Sequence, residues 1–436
     1  MGKNGKSTAT PRLRFPEFMD IGGWSATALH ELATFVTEKV GATDCTPYTV
    51  TSGVGLVSQM DKLGRTIAGD SLKNYVVLQR NDFAYNKSAT KAFPEGYIAR
   101  YVGEERAAVP NSVFTCFRVD DQRIAPEYLD YLFASNLHGK WLRKYIAVGA
   151  RAHGSLNVSD ADLMALPVPM PAGPNSLKEQ RKIAGCLTSL DGVIAAQGRN
   201  VEAVKTYKRG LMQQLFPSRG ETVPCLRFKQ CRNEPHWSVQ PLGALTRLQS
   251  GFAFSSDFFS SKGQKLVTPK NFTKTGFGIF DDSVSKYTTE EVSSKYLCRP
   301  GDLLVLLTDL TPTCELLGQP LEVTKADGDL LLNQRIVRIE PTSNVIAKGF
   351  LKQFLQSEAY REVIVGTATG TTVRHSSNKV LEAIEVAFPG PDEQQCIAAC
   401  LSSLDAKIVG ESRKLNALKA HKTGLMQQIY PSQGVS

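Results

Sequence analysis

The side chains best equipped for chemistry in this 436-residue sequence are scattered rather than grouped. There is no G-x-x-x-x-G-K-[ST] loop to cradle a phosphate, no H-E-x-x-H pair to hold zinc and no G-x-S-x-G turn to expose a nucleophile. The six histidines, His153, His236 and His375 among them, show no ligand spacing. The nine cysteines include no C-x-x-C pair, so buried free thiols are expected rather than a zinc site or a disulfide framework. Gly366 to Gly370 is glycine-rich but follows a helical stretch, which makes it a loop. The sequence therefore predicts no catalytic residue and no metal ligand, and the chemistry that remains is recognition.

Recognition needs polar side chains held on loops, and both halves of the chain supply them. In the first half the candidates are Ser58, Gln59, Lys62 and Arg65, then Tyr85, Asn86 and Lys87, then Arg151 and His153. In the second they are Lys270 and Asn271, then Asn333, Gln334 and Arg335, then Arg374 and His375. Arginine can address guanine bidentately and asparagine or glutamine adenine, while lysine chiefly serves phosphate, so these sets are candidates for base or phosphate contact. A formal charge of +9 favours a polyanionic partner. The cations are interleaved with aromatic and polar residues, which suits a groove better than a basic tail.

Two long helices must position these loops. Glu179 to Phe216 returns without a gap as Glu393 to Tyr430, with Gly210 carried to Gly424 and Pro217 to Pro431. In the first copy Ile183, Leu187, Leu190, Ile194, Val201, Val204, Leu211 and Leu215 step by threes and fours; in the second, Ile397, Leu401, Leu404, Ile408, Leu415, Leu418, Leu425 and Ile429 do so. This spacing is a coiled-coil seam. Gln197 and Lys208 interrupt the first seam, and Glu411 and Lys422 the second. Lys208 set against the Gln197/Glu411 end would suit an antiparallel pair, each helix roughly 38 residues and about 57 Å long. The alternative, one amphipathic helix in each of two ordinary domains, fits less well because the heptads outlast a usual helix.

A second repeat precedes each variable segment: Pro11, Leu13, Arg14, Phe15 and Trp24 correspond to Pro224, Leu226, Arg227, Phe228 and Trp237. The organisation expected is a lead at 1–23, a domain at 24–172, a helix at 173–217, a second lead at 218–236, a second domain at 237–389 and a second helix at 390–436. Strand-like runs at Thr46 to Thr51, Tyr75 to Leu78 and Ala107 to Val119, then a helix at Pro126 to Leu142, mark the first domain. Runs at Asp302 to Leu307 and Asn333 to Ile339, then a helix at Ile346 to Val363, mark the second. Both domains read as α+β. An antiparallel helix pair would place them in pseudo-twofold arrangement. No apolar run approaches the roughly 18 to 20 residues of a membrane span and the N-terminus lacks a signal-peptide core, so a cytoplasmic location is expected.

These residues carry a resemblance. The leads T-P-R-L-R-F-P-E-F and V-P-C-L-R-F, with the endings G-L-M-Q-Q-L-F-P and G-L-M-Q-Q-I-Y-P, resemble the DNA-specificity (S) subunit of type I restriction-modification systems. The likeness spans nearly the whole chain. It implies two target-recognition domains that each read half of a bipartite, asymmetric DNA site, with two long conserved helices as a ruler. It also implies that the chain is not itself an enzyme. Two methyltransferase (M) subunits methylating adenine and ATP-dependent restriction (R) subunits cutting DNA would dock on it, so that S-adenosylmethionine, ATP and magnesium belong to the partners in host defence. The second lead continues K-Q-C where the first has P-E-F. Two other classes fit less well. A fused adenine methyltransferase would need the N-P-P-aromatic pocket and a glycine-rich cofactor loop, and Tyr85-Asn86 supplies neither. A coiled-coil adaptor without DNA would not need the basic charge or the large paired domains.

Overall fold

The computed structural model describes residues 11–146, 154–281, 283–311 and 313–430. The chain divides into two compact units, residues 1–195 with 416–436 and residues 196–415. Both long helices form, as Ser176–Leu215 and Pro391–Ile429, and each contributes one part to each unit.

The start and stop of these helices follow from their flanks. Gly390 precedes a proline at the first helical position, whose missing N–H would have no helical partner there. Pro217 and Pro431 follow the last turns and cannot continue them. The carbonyls orphaned at each C-terminal end are met by the leads. In the first unit the Leu13 N–H donates to the Gln428 carbonyl at 3.1 Å, and in the second the Leu226 N–H donates to that of Gln214 at 2.9 Å.

Within each unit the helix segments run antiparallel. In the first unit Lys422 reaches Asp191, while Ile183 and Ile429 share the core. In the second Gln197 reaches Glu411, while Leu215 and Ile397 share the core. Every predicted seam residue is buried or half-buried. The seam is not a free-standing coil at its ends, however. Ile183, Leu187, Met426, Ile429 and Tyr430 enter the same core as Trp24 and Tyr128, and Met212, Leu215, Phe216, Ile397 and Leu401 the same core as Trp237 and Phe350. Lys208 departs from its expected place, because its partner is Asp405 and Gln197 instead bonds Glu411.

The two units repeat one topology. In the first, the strand Trp24–Ala28 pairs antiparallel with Pro167–Pro171, Trp24 opposite Pro171, and so ties the start of the domain to its end. In the second, Ser238–Pro241 pairs with Glu385–Phe388 in the same way. An antiparallel sheet follows in each: Ala33–Phe35, Phe114–Val119, Phe83–Asn86 and Tyr97–Arg100, against Thr246–Ser250, Ile336–Pro341, Leu303–Leu306 and Pro320–Glu322. A second sheet differs in size, four strands in the first unit and five in the second. It carries the divergent loops.

Three expectations are corrected here. The run Ala107 to Val119 is two strands, Ala107–Val109 and Phe114–Val119, in different sheets, because Pro110 cannot donate to a ladder and turns the chain. The helix expected over Pro126 to Leu142 breaks into Pro126–Ala134 and Leu137–Leu142 at Asn136, which adopts a left-handed φ of 61°. Its counterpart breaks into Lys348–Phe354 and Glu358–Gly366, where the Ser357 hydroxyl accepts the Tyr360 N–H and caps a new helix. The remaining strands end within a few residues of expectation, the last at Ile336–Pro341 rather than from Asn333.

Candidate nucleic-acid interface

Anchoring side chains recur at the base of each unit. Arg14 grips Glu179 with two hydrogen bonds, 2.7 and 2.8 Å, and spends a third on the Gly22 carbonyl. Arg227 grips Glu393 at 3.0 and 2.6 Å and bonds the Glu234 carbonyl. Each glutamate lies in the first turn of a long helix, where the helix dipole favours negative charge. The next residue repeats its bonding as well, since Gln180 accepts the Ala125 N–H and Gln394 the Ala347 N–H, both just ahead of a domain helix. The pairs Glu-Gln at 179–180 and 393–394 thus fasten a lead and a domain to one helix end. They were visible in the repeat, but what they fasten was not.

Above this base the predicted contact residues separate into two groups, and the first is consumed by the fold. Tyr85 is fully buried and donates to the Glu95 carbonyl, with burial pushing its hydroxyl pKa up. Asn86 donates to the Val50 carbonyl and accepts from the Ser88 N–H. Ser58 caps a helical turn through the Asp61 N–H, and Gln59 accepts the Ile67 N–H. Asn271 is fully buried; its carbonyl oxygen accepts from the Thr268 N–H and hydroxyl and its amide donates to Ile279. All five side chains are buried and bonded within the scaffold, Tyr85, Asn86, Gln59 and Asn271 to backbone groups and Ser58 to Asp61. Lys87 is paired with Asp160 at 2.8 Å. Arg374 bonds the Gly370 carbonyl and the Cys314 sulfur, and His375 shares a hydrogen bond with Thr308. Arg151 and His153 lie outside the described residues.

The second group faces outward. Lys62 and Arg65 are exposed on the turn that Ser58 and Gln59 pin, beside exposed Met60, Leu63 and Ile67. In the second unit the structure brings Lys270, Asn333, Gln334 and Arg335 into one groove of about 270 Å³. Two tight turns build it. Asn271 ties down the turn Pro269–Asn271, which leaves Lys270 exposed. The loop 333–335 crosses from a strand of the five-stranded sheet, Leu330–Leu332, to one of the four-stranded sheet, Ile336–Pro341. It runs so close to Gly251 that a Cβ there would lie 2.1 Å from the Asn333 carbonyl oxygen, so only glycine fits.

The groove also holds residues that sequence reasoning missed. Lys286 lies 5.0 Å from the centroid of the exposed Phe259 ring, and exposed Leu310 lines the groove. No carboxylate lines it among the described residues. Three cations, two side-chain amides and an apolar rim in one concavity can meet phosphates and base edges together. The Phe258-Phe259 pair and Lys286 gave no periodic signal by which to find them.

Elsewhere, no cluster of three or more His, Cys, Asp or Glu that could hold a metal occurs among the described residues. No helix among them is long and apolar enough to cross a membrane. Of the cysteines, five are buried free thiols as expected, but Cys225 is exposed and Cys186, Cys396 and Cys400 are half-buried.

Residues 236–420 match the family described as type I restriction modification DNA specificity domain. The chain is 26% identical over 270 residues to the type I restriction enzyme MjaVIII specificity subunit of Methanocaldococcus jannaschii, an alignment covering 60% of this chain and 60% of that relative. It is 23% identical over 337 residues to the putative MjaX specificity subunit of the same organism, covering 77% of this chain and 74% of that one. Its fold is shared with the type I restriction-modification S subunit from M. genitalium, with a TM-score of 0.57 at 15% identity over 97% of this chain and all of that one. A chain from a type I restriction-modification assembly gives a TM-score of 0.53, also at 15% identity, covering 94% of this chain and 98% of that one. The lead, the long helix and the domain topology are each present twice, residues 236–420 match the type I restriction modification DNA specificity domain, and the fold is that of the S subunits it resembles.

Proposed function

We propose that the chain reads a bipartite, asymmetric DNA site, each unit reading one half, and serves as the platform on which methyltransferase and restriction subunits assemble. The observation that carries this reading is one scaffold used twice with different loops. Arg14, Glu179 and Gln180 repeat as Arg227, Glu393 and Gln394 in the same bonds, whereas the groove of Lys270, Asn333, Gln334 and Arg335 belongs to the second unit. Fixed anchors with divergent reading surfaces are what two readers of different half-sites require. Methyl transfer from S-adenosylmethionine and ATP- and magnesium-dependent cleavage are assigned to the partner subunits, and the chain itself to recognition.

The test is exchange. Replacing Trp24 to Pro171 by the matching segment of another specificity subunit should change one half of the methylated sequence and leave the other. A change in both halves, or in neither, overturns modular reading. Base methylation by the purified chain alone overturns the division of labour.

A further inference from the structure

The first unit contains a concavity of about 650 Å³. Helix Leu137–Leu142 with the residues beside it forms one wall, and the last turns of helix Pro391–Ile429 form the other. Leu132, Leu137 and Met426 give it an apolar floor, and Arg12, Lys140 and Lys144 supply cations at its walls. No carboxylate lines it among the described residues. The Lys144 ammonium rests 3.1 Å from the centroid of the Trp141 ring. Tyr430 also lines the groove; it is only 7% exposed and, among the described residues, its hydroxyl has no hydrogen-bond partner. Burial, with Tyr131 and Asp130 nearby, pushes the pKa of that hydroxyl up, so it stays protonated and can donate.

The second unit shows that the scaffold does not need these residues. The helix repeat places Phe216 where Tyr430 stands, and the lead repeat places Cys225 where Arg12 stands. Tyr128 and Phe350 occupy equivalent places, each packed on a tryptophan and on Tyr430 or Phe216 respectively. Tyr131 and Gln353 each bond the aspartate of a long helix, and His138 and Tyr360 reach the carbonyls of Gly96 and Gly318. That alignment sets Glu362 in place of Lys140 and Gly366 in place of Lys144. The same core closes with no cation and no hydroxyl at any of the four positions. Their presence in the first unit therefore has a cause other than packing.

We propose that this groove binds a nucleotide, its phosphates held by Arg12, Lys140 and Lys144, its heterocycle laid on Leu132, Leu137 and Met426. A small inorganic anion would engage the cations but leave the apolar floor empty, and a groove of this size suits a ligand that does both. The nucleotide is a free one, not a unit of a DNA strand. The inference does not rest on either unit reading a half-site.

Isothermal titration of the full chain with ATP, AMP and pyrophosphate, alongside fluorescence anisotropy with a labelled duplex, separates the cases. Each variant copies the second unit: Lys140→Glu and Arg12→Cys, with circular dichroism and thermal unfolding to verify the fold. Binding of ATP or AMP that weakens about tenfold or more in Lys140→Glu and Arg12→Cys supports the proposal. No binding of free nucleotide, whether or not duplex binding changes in the same variants, overturns it. Pyrophosphate binding as tightly as ATP, or an affinity for nucleotide that neither substitution moves, also overturns the proposal.

Discussion

The Lys208 ammonium lies 2.6 Å from the Asp405 carboxylate in the second unit, with both side chains nearly inaccessible. Gln353 donates to the other carboxylate oxygen at 2.9 Å, and Gln356 accepts from the lysine at 3.1 Å. Burial outweighs the pull of Asp405 and lowers the lysine pKa. The equivalent pair of the first unit, Lys422 with Asp191, is also 2.6 Å long, but its carboxylate is 42% exposed. Identical chemistry at matched positions thus meets two different dielectric environments.

Removing one partner of the buried pair should cost far more than removing one of the exposed pair. Lys208→Met strands the Asp405 charge and is expected to destabilise the second unit by about 3–5 kcal/mol. Lys422→Met should cost about 0–1 kcal/mol. The double variant Lys208→Met/Asp405→Asn should cost less than the sum of its singles, since no charge is left buried. Urea titration with hydrogen exchange followed separately in each unit checks all three. Equal costs for the two lysines would contradict the reading.

Acid should loosen the first unit through His138. The ring is only 2% exposed, its Nε2 lies 3.3 Å from the Gly96 carbonyl oxygen, and its Nδ1 has no partner among the described residues. Burial lowers its pKa from 6.5 to about 4. Below about pH 6.5 the unfolded chain takes up a proton that the folded chain refuses, so stability is full above that pH and falls until about pH 4. The loss should total about 3 kcal/mol. His138→Tyr, which copies Tyr360, should flatten the profile. Hydrogen exchange of residues 126–142 between pH 7 and pH 4.5 would show it, and an unchanged slope in the variant would assign the acid sensitivity to other groups.

Neighbouring residues of one turn should fail in different ways. Lys270→Ala and Arg335→Ala should leave stability unchanged and weaken DNA binding by the assembled complex, by about 1–3 kcal/mol if Arg335 reads a base. Asn271→Ala should destabilise the second unit instead, because it leaves the Thr268 N–H without its partner. Thermal unfolding together with binding at several salt concentrations separates the two. A stable Asn271→Ala protein with altered specificity would return Asn271 to the contact set.

If the helices set the distance between half-sites, one added heptad after Ala203 and one after Ala417 should widen the spacer by up to roughly three base pairs, since each helix grows by about 10.5 Å. The pairs Lys208–Asp405 and Lys422–Asp191 keep their register, but Gln197 and Glu411, now 2.6 Å apart, are separated. Replacing both by leucine should therefore rescue a weakened seam. Methylation mapping on a library of spacer lengths reads the outcome, and an active variant with the original spacer would show that the helices are no ruler.

Much of the architecture was legible because the chain states it twice. The helices, the leads and the opening and closing strands all lie on repeated residues, so a single offset aligned Glu179 with Glu393, and a shift of one residue aligned Trp24 with Trp237. The breaks at Asn136 and Ser357 were less legible, because apolar spacing continues across both and only a left-handed backbone or a capping hydroxyl stops the helix. The site was read least well. Asparagine, glutamine, serine and tyrosine bond backbone as readily as bases, so Lys270 and Asn271, adjacent and equally polar, have opposite fates. Lysines and arginines fared better, since a charge resists burial wherever no partner is waiting.

The first unit is closed by the far end of the chain, for Met426, Ile429 and Tyr430 sit in the same core as Trp24, Leu29 and Tyr128. A growing polypeptide reaches those residues only after the whole of 196–415 has been added. At roughly 5–20 residues per second, the ribosome needs on the order of ten to some tens of seconds to supply them. The second unit, drawn from one continuous stretch, has everything it needs earlier. Of the two units the first is started earlier, yet it is the later of the two to hold its whole core, and until Met426, Ile429 and Tyr430 arrive Trp24, Leu29 and Tyr128 lack part of their packing.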